Sequence, residues 1–386
     1  MSVVAIISEY NPFHNGHKYQ IEKIREEIPN AIVVSIMSGN VVQRGELAFV
    51  DKYTRAKIAI ENGIDLVLEL PYPYSGSTAE IFATAGVKIA SSIGAEYLYF
   101  GIESEIEGLE KTASIIESEE YEIEIKKLIN ESNDSYPVLR EKALKKLGVD
   151  ISCTSNDMLA IEYIRAIKSN ALSIKYRAIK RIGAMYNDES ISNMMSASAI
   201  RYQYYKTGKI LSIPEEGKTD LLDDLEKGKL TDKAKLNNLL LQQIILKGPQ
   251  MIEKSYDCPD GLGYYIYSEA KQCSNTENLI SLSSKGVTSS RIRRILLYSL
   301  FDVQNVNKEP RFTSLLGMSQ RGREYLGKIK KDVELPVLTK HADSKKLSAK
   351  ALSDYELNLK VDELYQLLLN KPGTSKDVYK KCPYIK

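Results

Sequence analysis

The sequence predicts an α/β protein with a doubly wound parallel sheet and a mostly helical C-terminal domain. Up to about residue 210, short apolar segments rich in β-branched residues alternate with segments that carry apolar residues at helical spacing. This alternation is typical of a parallel sheet with helices on both faces. Beyond residue 210 the alternation stops and helical spacing prevails. We therefore expect two domains, residues 1–210 and residues 211–386.

The predicted elements follow one another in a regular order. Strands are predicted at residues 2–7, 31–37, 65–71, 96–101 and 173–182. In the first domain, helices are predicted at residues 18–28, 51–63 and 78–92, in a charged insertion at 104–150, and after Thr154 and Met195. In the second domain, helices are predicted at residues 221–243 and 289–300, and a loop or turn at 261–265.

Composition indicates an ordinary water-soluble protein. The chain has 43% hydrophobic and 27% charged residues and a net charge of only +2, so a nucleic-acid surface would need local clusters of basic residues. No uncharged apolar run is long enough to span a membrane, and the first residues form a strand rather than a signal peptide. We expect a cytoplasmic protein with no membrane partner. The four cysteines lack metal-binding spacing and are expected to be reduced thiols: Cys153, Cys258, Cys273 and Cys382.

The candidate active site is the loop between the first strand and the first helix. Here His14 and His17 flank Gly16, and these are two of the three histidines in the chain. At such a position free backbone N–H groups and the helix dipole favour a phosphate, and a glycine allows close approach of the backbone. Two imidazoles can donate to phosphate oxygens or to a developing negative charge. The two histidines are therefore the candidate catalytic residues.

Two other interpretations of the histidine pair exist. Histidines of soluble proteins are often structural, and Pro12 and Gly16 could mark a simple turn. A zinc site is disfavoured because no cysteine lies nearby and His341 is far away in the sequence. We expect no protein-bound metal.

Further candidate residues fall at equivalent places in the predicted sheet. Ser38-Gly39-Asn40, Pro71 and Gly101 follow the carboxyl ends of predicted strands, where parallel sheets bind their ligands. Ser198 and Arg201 lie at the start of a later helix and could bind phosphate through a hydroxyl and a guanidinium. The alternative for this pair is a plain N-cap with a surface arginine.

The C-terminal region contains three basic clusters that could contact a phosphate backbone. Each could equally be a solvated face. The clusters are Lys285, Arg291, Arg293 and Arg294; then Arg321, Arg323, Lys328, Lys330 and Lys331; then Lys340, His341, Lys345, Lys346 and Lys350.

These motifs resemble a known family. Asn-Pro-Phe-His-Asn-Gly-His at residues 11–17, with Met-Ser-Ala-Ser-Ala-Ile-Arg at 195–201, is similar to the two signatures of the His-x-Gly-His nucleotidyltransferase superfamily. More narrowly, the chain resembles the bacterial tRNA(Met) cytidine acetate ligase family. The further matching segments are residues 37–40, 43–46, 51–52, 65–71, 180–184, 315–318 and 321–323.

The resemblance implies a Rossmann-like ATP-binding domain and a helical domain that helps to bind elongator tRNA(Met). It implies that acetate and ATP form acetyl-adenylate, with Mg²⁺ expected on the phosphates, and that the acetyl group passes to N4 of the wobble cytidine. Asp157 and Ala160 depart from the asparagine and glycine that the family pattern leads us to expect. The candidate tRNA contacts come from the basic clusters and are Lys285, Arg291, Arg293, Arg294, Arg321 and Arg323. The implied ATP-binding residues are Ile7, Ser8, Glu9, Tyr10, Asn11, Pro12, Phe13, His14, Asn15, Gly16, His17, Lys18, Tyr19, Gln20, Gly101, Asn156, Arg181, Ile182, Ser198 and Arg201.

Two other functions remain compatible with the sequence. One is a small-molecule adenylyltransferase of the same superfamily, which would not need a large basic second domain. The other is a non-catalytic RNA-binding protein, which would not need His14 and His17. Dependence of activity on tRNA distinguishes the first of these from a tRNA-modifying enzyme.

Overall fold

A computed structural model describes residues 2–132, 134–149, 154–181, 194–281, 287–330 and 332–386. The sequence-based assignments of Cys153, Ile182, Lys285 and Lys331 concern residues outside these ranges. In the described chain the strands are β1 Val3–Ser8, β2 Ile32–Ser38, β3 Val41–Val42, β4 Glu46–Leu47, β5 Leu66–Leu70, β6 Tyr97–Ile102, β7 Lys175–Lys180, β8 Thr313–Met318, β9 Val337–Leu338 and β10 Tyr384–Ile385.

The helices account for most of the remaining described chain. They are α1 Asn15–Glu27, α2 Lys52–Glu61, α3 Ala79–Ser92, α4 Ile106–Ile116, α5 Glu119–Glu131, α6 Tyr136–Lys146, α7 Ser155–Ser169, α8 Ala197–Thr207, α9 Lys218–Glu226, α10 Lys233–Lys247, α11 Pro249–Glu253, α12 Leu262–Ala270, α13 Thr276–Ser281, α14 Ser289–Leu300, α15 Gln320–Ile329 and α16 Ala349–Leu367.

The main sheet has the strand order β10-β8-β5-β2-β1-β6-β7, with β9 paired to β8. Strands β5, β2, β1, β6 and β7 run parallel to one another, as the alternating pattern predicts. Because the order reverses at β1, the crevice for a ligand is expected at the carboxyl ends of β1 and its neighbours. This is where the histidine loop lies.

Helices cover both faces of the sheet, as the predicted doubly wound fold requires. In β2, Val34 and Ile36 belong to the apolar core on one face, and Val33 and Met37 belong to the core on the other face. A strand buried on both faces is apolar at nearly every position, and all seven residues of β2 are buried. Three of these helices begin at side-chain caps, since Asp51, Thr78 and Thr154 each accept a backbone N–H at a helix start.

The C-terminal region differs from its sequence-based description in three places. Strand β8 joins the main sheet and pairs antiparallel with β5, so the sheet draws residues from both sides of position 210. The helix predicted at 221–243 is two helices, α9 and α10. Residues 262–265, predicted as loop, begin α12, because Gly261 adopts the left-handed conformation at its N-cap. The boundary at residue 210 stays a prediction.

A buried charged cluster fastens α16 to the sheet. The Lys52 Nζ donates to Glu69 Oε1 at 2.6 Å and to Asp362 Oδ2 at 2.5 Å, and all three side chains are at most 8% exposed. Asn40 and Asn358 donate to Asp362 Oδ1 and Glu69 Oε1, at 2.9 and 3.2 Å. The C-terminal helix is therefore bonded to residues at the carboxyl ends of β2 and β5.

The Lys52 cluster perturbs the pKa values of its members. Burial alone would lower the pKa of Lys52, but the charges of Asp362 and Glu69 raise it well above its ordinary value. Burial raises the pKa of Asp362, Lys52 opposes this effect, and the Glu69 charge adds to it. The cluster is thus stable only while Lys52 remains charged between the two carboxyl groups.

Candidate active site

The two histidines form one unit at the start of α1. The His14 Nδ1 accepts the Gly16 N–H at 3.0 Å, and the His17 Nδ1 accepts the His14 N–H at 3.2 Å. The two rings stack with their centroids 3.7 Å apart and an interplanar angle of 24°. Each ring therefore fixes the other, and both bind the first turn of the helix through the same nitrogen.

Burial and nearby charge determine the protonation of both rings, and the hydrogen bonds determine which nitrogen carries the proton. Burial, together with the smaller effect of the Arg181 charge, lowers the pKa of His14 to about 3. Burial also lowers the pKa of His17 well below its ordinary value, with contributions from His14 and Arg181. At neutral pH both imidazoles are uncharged. Because Nδ1 accepts a hydrogen bond in each ring, the remaining proton is assigned to Nε2, which is a donor. The pair presents two oriented N–H donors.

Backbone contacts hold the loop that precedes the histidines. The Asn11 Oδ1 accepts the Phe49 N–H, and the Asn11 carbonyl accepts a hydrogen bond from Arg201 Nη1, both at 2.6 Å. Arg55 is fully buried and donates to the carbonyls of Glu9 at 2.6 Å and of Ser38 at 3.0 Å. One guanidinium thus joins the loops that follow β1 and β2.

The predicted ATP-binding stretch from Ile7 to Gln20 divides into two kinds of residue. Tyr10 and Phe13 are buried and pack against the His17 ring, with ring centroids 4.8 and 5.4 Å from it. Others already have protein partners. The Ser8 hydroxyl forms a hydrogen bond with that of Ser35, and the Asn15 N–H donates to the Ser212 carbonyl. Lys18 forms an ion pair with Glu216, and the Gln20 side chain donates to the Tyr99 carbonyl. Ile7 packs against Gly86 of α3, Pro12 is buried and Tyr19 is partly buried. These contacts support the histidine loop, and none of residues 7–20 is fully exposed.

Glu9 is the carboxylate of this loop. Its Oε1 accepts the Gln43 N–H at 2.9 Å. Burial raises the pKa of Glu9, while that hydrogen bond and the charges of Arg201, Arg44 and Arg55 lower it. The group is therefore surrounded by cations at the edge where an anionic ligand is expected.

The end of β6 contributes a second group of predicted residues. Gly101 lies inside β6, and a Cβ there would be 3.2 Å from Arg181 Cγ. The Arg181 Nε is 3.8 Å from Glu103 Oε1, which also accepts a hydrogen bond from Asn156 Nδ2 at 2.7 Å. The structure therefore brings Gly101, Asn156 and Arg181 together, and the Arg181 charge contributes to the lowered pKa of both histidines.

Helix α8 adds a third group. Ser198 is exposed, and its Oγ lies 3.4 Å from Arg201 Nη2. The hydrogen bond from Arg201 to the Asn11 carbonyl places this guanidinium against the histidine loop. The hydroxyl and the guanidinium can thus meet the phosphates of a ligand that the histidines contact.

Two residues that support the site were missed by sequence reasoning. Asp157, which departs from the family pattern, is fully buried and accepts the N–H groups of Glu103 and Ser104 at 2.9 and 3.2 Å. It fixes the loop after β6, and its position three residues after the cap Thr154 was the available signal. Arg55 lies on a predicted helix, but its burial was not predicted. Its spacing from Ile58 on the apolar face of α2 was the signal.

The predicted tRNA-contacting arginines on α14 have different surroundings. Arg291 and Arg294 both bind Asp257, at 2.8 and 3.3 Å, and Arg294 is only 7% exposed. These two arginines hold α14 to the loop that contains Asp257. Arg293 instead lies 3.6 Å from Glu46 Oε1 and is partly exposed. Of the three, Arg293 is the most available to a ligand.

The cluster on α15 divides in the same way. The Arg321 Nη2 donates to the carbonyls of Asn30 and Ala31 at 3.1 and 2.9 Å, which ties α15 to the start of β2. Arg323, two residues later, is exposed. Arg323 can therefore reach a partner without loss of a structural contact.

No helix in the described ranges is long and apolar enough to cross a membrane. The same ranges contain no group of three or more His, Cys, Asp or Glu side chains arranged to hold a metal ion.

A doubly wound sheet with a neutral histidine pair at the first helix start defines a nucleotidyltransferase of the His-x-Gly-His class. A model of the HIGH Nucleotidyl Transferase family matches residues 1–380, and the chain belongs to this family. Two curated relatives are tRNA(Met) cytidine acetate ligases. That of Thermosipho africanus is 34% identical and covers 92% of this chain and 89% of its own. That of Thermoanaerobacter sp. is 36% identical, and 95% of each chain is covered.

Solved structures agree with this assignment. A crystal structure of Thermotoga maritima TmcAL bound with alpha-thio ATP has a TM-score of 0.88 and 27% identity, and covers 100% of this chain and 99% of its own. The apo form has a TM-score of 0.90 and 28% identity with the same coverage. The fold class predicted from the sequence is confirmed.

Proposed function

We propose that this chain is an ATP-dependent tRNA(Met) cytidine acetate ligase that works in the cytoplasm. In the first step an acetate oxygen attacks the ATP α-phosphorus, the bond to the β-phosphate breaks, and acetyl-adenylate and pyrophosphate form. In the second step N4 of the wobble cytidine of elongator tRNA(Met) attacks the acyl carbon, loses a proton and releases AMP. The observation that carries the proposal is the neutral, stacked histidine pair, in a chain whose relatives with this activity match over nearly their whole length.

The proposed residue roles follow from the donors around the loop. Because His14 and His17 bind the helix start through Nδ1, their Nε2–H groups can donate to phosphate oxygens as charge grows there. Arg201 and Ser198 hold the departing pyrophosphate. Arg181 adds a positive charge beside both histidines, and Gly101 allows it to lie close to β6. No covalent enzyme intermediate is required, because orientation and charge stabilisation suffice.

Magnesium fits this site as an ion held chiefly by the nucleotide. The Glu9 Oε1 already accepts a backbone N–H, and the described residues offer no set of three carboxylate or histidine ligands. A donor set this sparse suits Mg²⁺, which keeps several waters and binds substrate phosphates. When bound, the ion would neutralise phosphate charge.

For tRNA, we propose that the C-terminal half supplies basic contacts to the RNA. Arg293 and Arg323 are the candidate contacts, since Arg291, Arg294 and Arg321 are bound to protein groups. The small net charge of +2 supports local rather than overall attraction of the RNA. The ATP step should therefore be separable from the tRNA step.

The function is tested by mass spectrometry of tRNA nucleosides after incubation of the enzyme with ATP and isotopically labelled acetate. We expect labelled N4-acetylcytidine in elongator tRNA(Met), AMP in equal amount, and no label without ATP. Elongator tRNA(Met) with the wobble cytidine replaced by uridine is the matched control. Acetate-dependent ATP cleavage with no labelled tRNA would contradict the ligase assignment and favour a small-molecule adenylyltransferase.

Gly16→Ala should impair adenylate formation through the His14 ring. A Cβ at Gly16 would lie 2.9 Å from His14 Cε1 and 3.1 Å from Nδ1, so the ring must move although a stack and a hydrogen bond hold it. Displacement of a catalytic group by a fraction of an ångström is expected to lower ATP–pyrophosphate exchange by about 10- to 100-fold.

Gly327→Ala is the matched control for Gly16→Ala. Gly327 is also helical, and a Cβ there meets nothing within 4 Å. The control variant should keep normal exchange activity. Equal activity of both variants would show that the His14 ring position does not limit the reaction.

A further inference from the structure

A cavity of about 370 Å³ lies outside the histidine loop, between the β3–β4 hairpin and helices α10, α13 and α14. Leu47, Leu236 and Ile280 give it an apolar interior. Charged and polar groups stand around them, among them Glu46, Lys233 and Arg293. A flat, uncharged heterocycle with donors and acceptors at its edge matches this lining, since its faces are apolar and its edge is polar.

The cavity is connected to the candidate active site by one residue. Glu46 has one carboxylate oxygen 3.6 Å from Arg293 Nη1, inside the cavity wall, and the other 3.7 Å from Arg201 Nη2. Arg201 in turn donates to the Asn11 carbonyl of the histidine loop. A ligand in the cavity would thus be separated from the phosphate-binding groups by a single carboxylate.

An exposed aromatic ring stands beside the cavity. Tyr205 on α8 is 46% exposed, and the Lys233 Nζ, from a residue of the cavity wall, lies 5.2 Å from the centre of its ring. An aromatic face next to a cation is the arrangement on which unpaired RNA bases stack. The ring is held in place by an edge contact with Phe49 at 5.9 Å.

From these observations we infer that the cavity receives an unpaired nucleobase of the tRNA anticodon loop, with Tyr205 stacking at its mouth. The inference rests on the proposed function and adds the place where the RNA loop is held. Glu46 accepts from an exocyclic amine of the base, and Arg293 donates to a carbonyl oxygen or a ring nitrogen of the base. The base that enters is either the acetylated cytidine or a neighbour of it in the loop.

The first test fills the cavity. Leu236→Trp places a large side chain inside it, and Ile245→Trp places the same side chain on an exposed position of the same helix, outside the lining. We expect Leu236→Trp to weaken binding of the anticodon stem-loop at least tenfold and to leave acetate-dependent ATP–pyrophosphate exchange unchanged. Ile245→Trp should change neither. Equal stem-loop affinity of the two variants would overturn the inference.

Exchange activity separates this test from a test of the proposed function. If the wild-type enzyme shows no acetate-dependent exchange, the proposed function fails. If exchange is present but Leu236→Trp binds the stem-loop as tightly as Ile245→Trp does, the inference alone fails. Retained exchange in Leu236→Trp also shows that the variant is folded.

A second set of three variants tests the mouth of the cavity without disturbing its interior. Tyr205→Ala should weaken stem-loop binding about tenfold, and Tyr205→Phe, which keeps the ring, should restore it. Tyr202→Ala, on the same helix at an even more exposed residue, is the control and should bind normally. Equal losses at Tyr202 and Tyr205 would contradict a specific stacking position.

Fluorescent bases identify the occupant. Stem-loops that carry 2-aminopurine or pyrrolocytosine at one loop position at a time are titrated with wild-type protein and with Leu236→Trp. A fluorescence change at one position that is lost in Leu236→Trp supports the inference. The wobble position would identify the cytidine itself, and another position would identify a neighbour. The inference is overturned if no loop position shows a fluorescence change that is lost in Leu236→Trp.

Discussion

Replacing His14 or His17 with asparagine is expected to reduce acetate-dependent ATP–pyrophosphate exchange by about 10²- to 10³-fold, with little loss of stability. An asparagine Oδ1 can accept the backbone N–H that each Nδ1 accepts now, and asparagine is a favourable N-cap at position 14. What asparagine cannot supply is the donor at the position of Nε2. Loss of one such charge-stabilising donor typically costs about 3–4 kcal/mol of barrier.

Alanine variants complete the comparison for the histidine pair. His14→Ala removes both the cap and the donor, so it should lose activity and also about 1 kcal/mol of stability. His341→Ala is the control, because this exposed histidine is bonded to Tyr355 in the C-terminal part. Steady exchange rates and thermal unfolding of each variant provide the readouts. Near-normal exchange in His17→Asn would show that the Nε2 donor of His17 has no catalytic role.

Lys52→Met is expected to lower the free energy of unfolding by about 3–5 kcal/mol. The substitution removes the one cation between Glu69 and Asp362 and leaves two carboxyl groups facing each other in the interior. Lys57→Met on the same helix is the control. Lys57 is partly exposed, its ion pair with Asp220 is at the surface, and its loss should cost at most about 1 kcal/mol. Urea unfolding at pH 8 measures both.

The effect of Lys52→Met should depend on pH in a defined direction. Burial raises the pKa of Asp362 above that of an aspartate in the unfolded chain, and without Lys52 the opposing effect is lost. A carboxyl group with a raised folded pKa destabilises the fold increasingly as pH rises above its unfolded value of about 4. The variant should therefore recover stability relative to wild type as pH falls from 8 toward 5. A difference independent of pH would indicate that lost packing, not charge, causes the destabilisation.

Sequence reasoning located the sheet and the histidine loop because both depend on local patterns. Alternating strands and helices, capping residues such as Asp51 and Thr154, and a glycine between two histidines are visible within a few residues. Strand β8 was missed because the described elements that precede it, from α8 to α14, are helices, and because its partner β5 lies most of a chain length away in the sequence. Local patterns do not contain that information.

The roles of individual charges were less predictable for the same reason. Arg291, Arg293 and Arg294 form one cluster in the sequence, but Asp257 takes two of them and Glu46 approaches the third. Whether a basic residue is solvated, structural or available depends on which distant carboxylate meets it. The cluster is visible in the sequence, but the carboxylate that each arginine contacts is known only from the fold.

The antiparallel pairing of β5 with β8 also has a consequence for the biosynthesis of the protein. Leu66 pairs with Met318, and a ribosome that adds about 5–20 residues per second takes roughly 10 to 50 seconds between the two. During that interval the nascent chain exposes the edge of β5, with its apolar side chains, as a site for unwanted strand pairing. We therefore expect the yield of native protein to depend on how well this edge is kept from other strands until β8 is made.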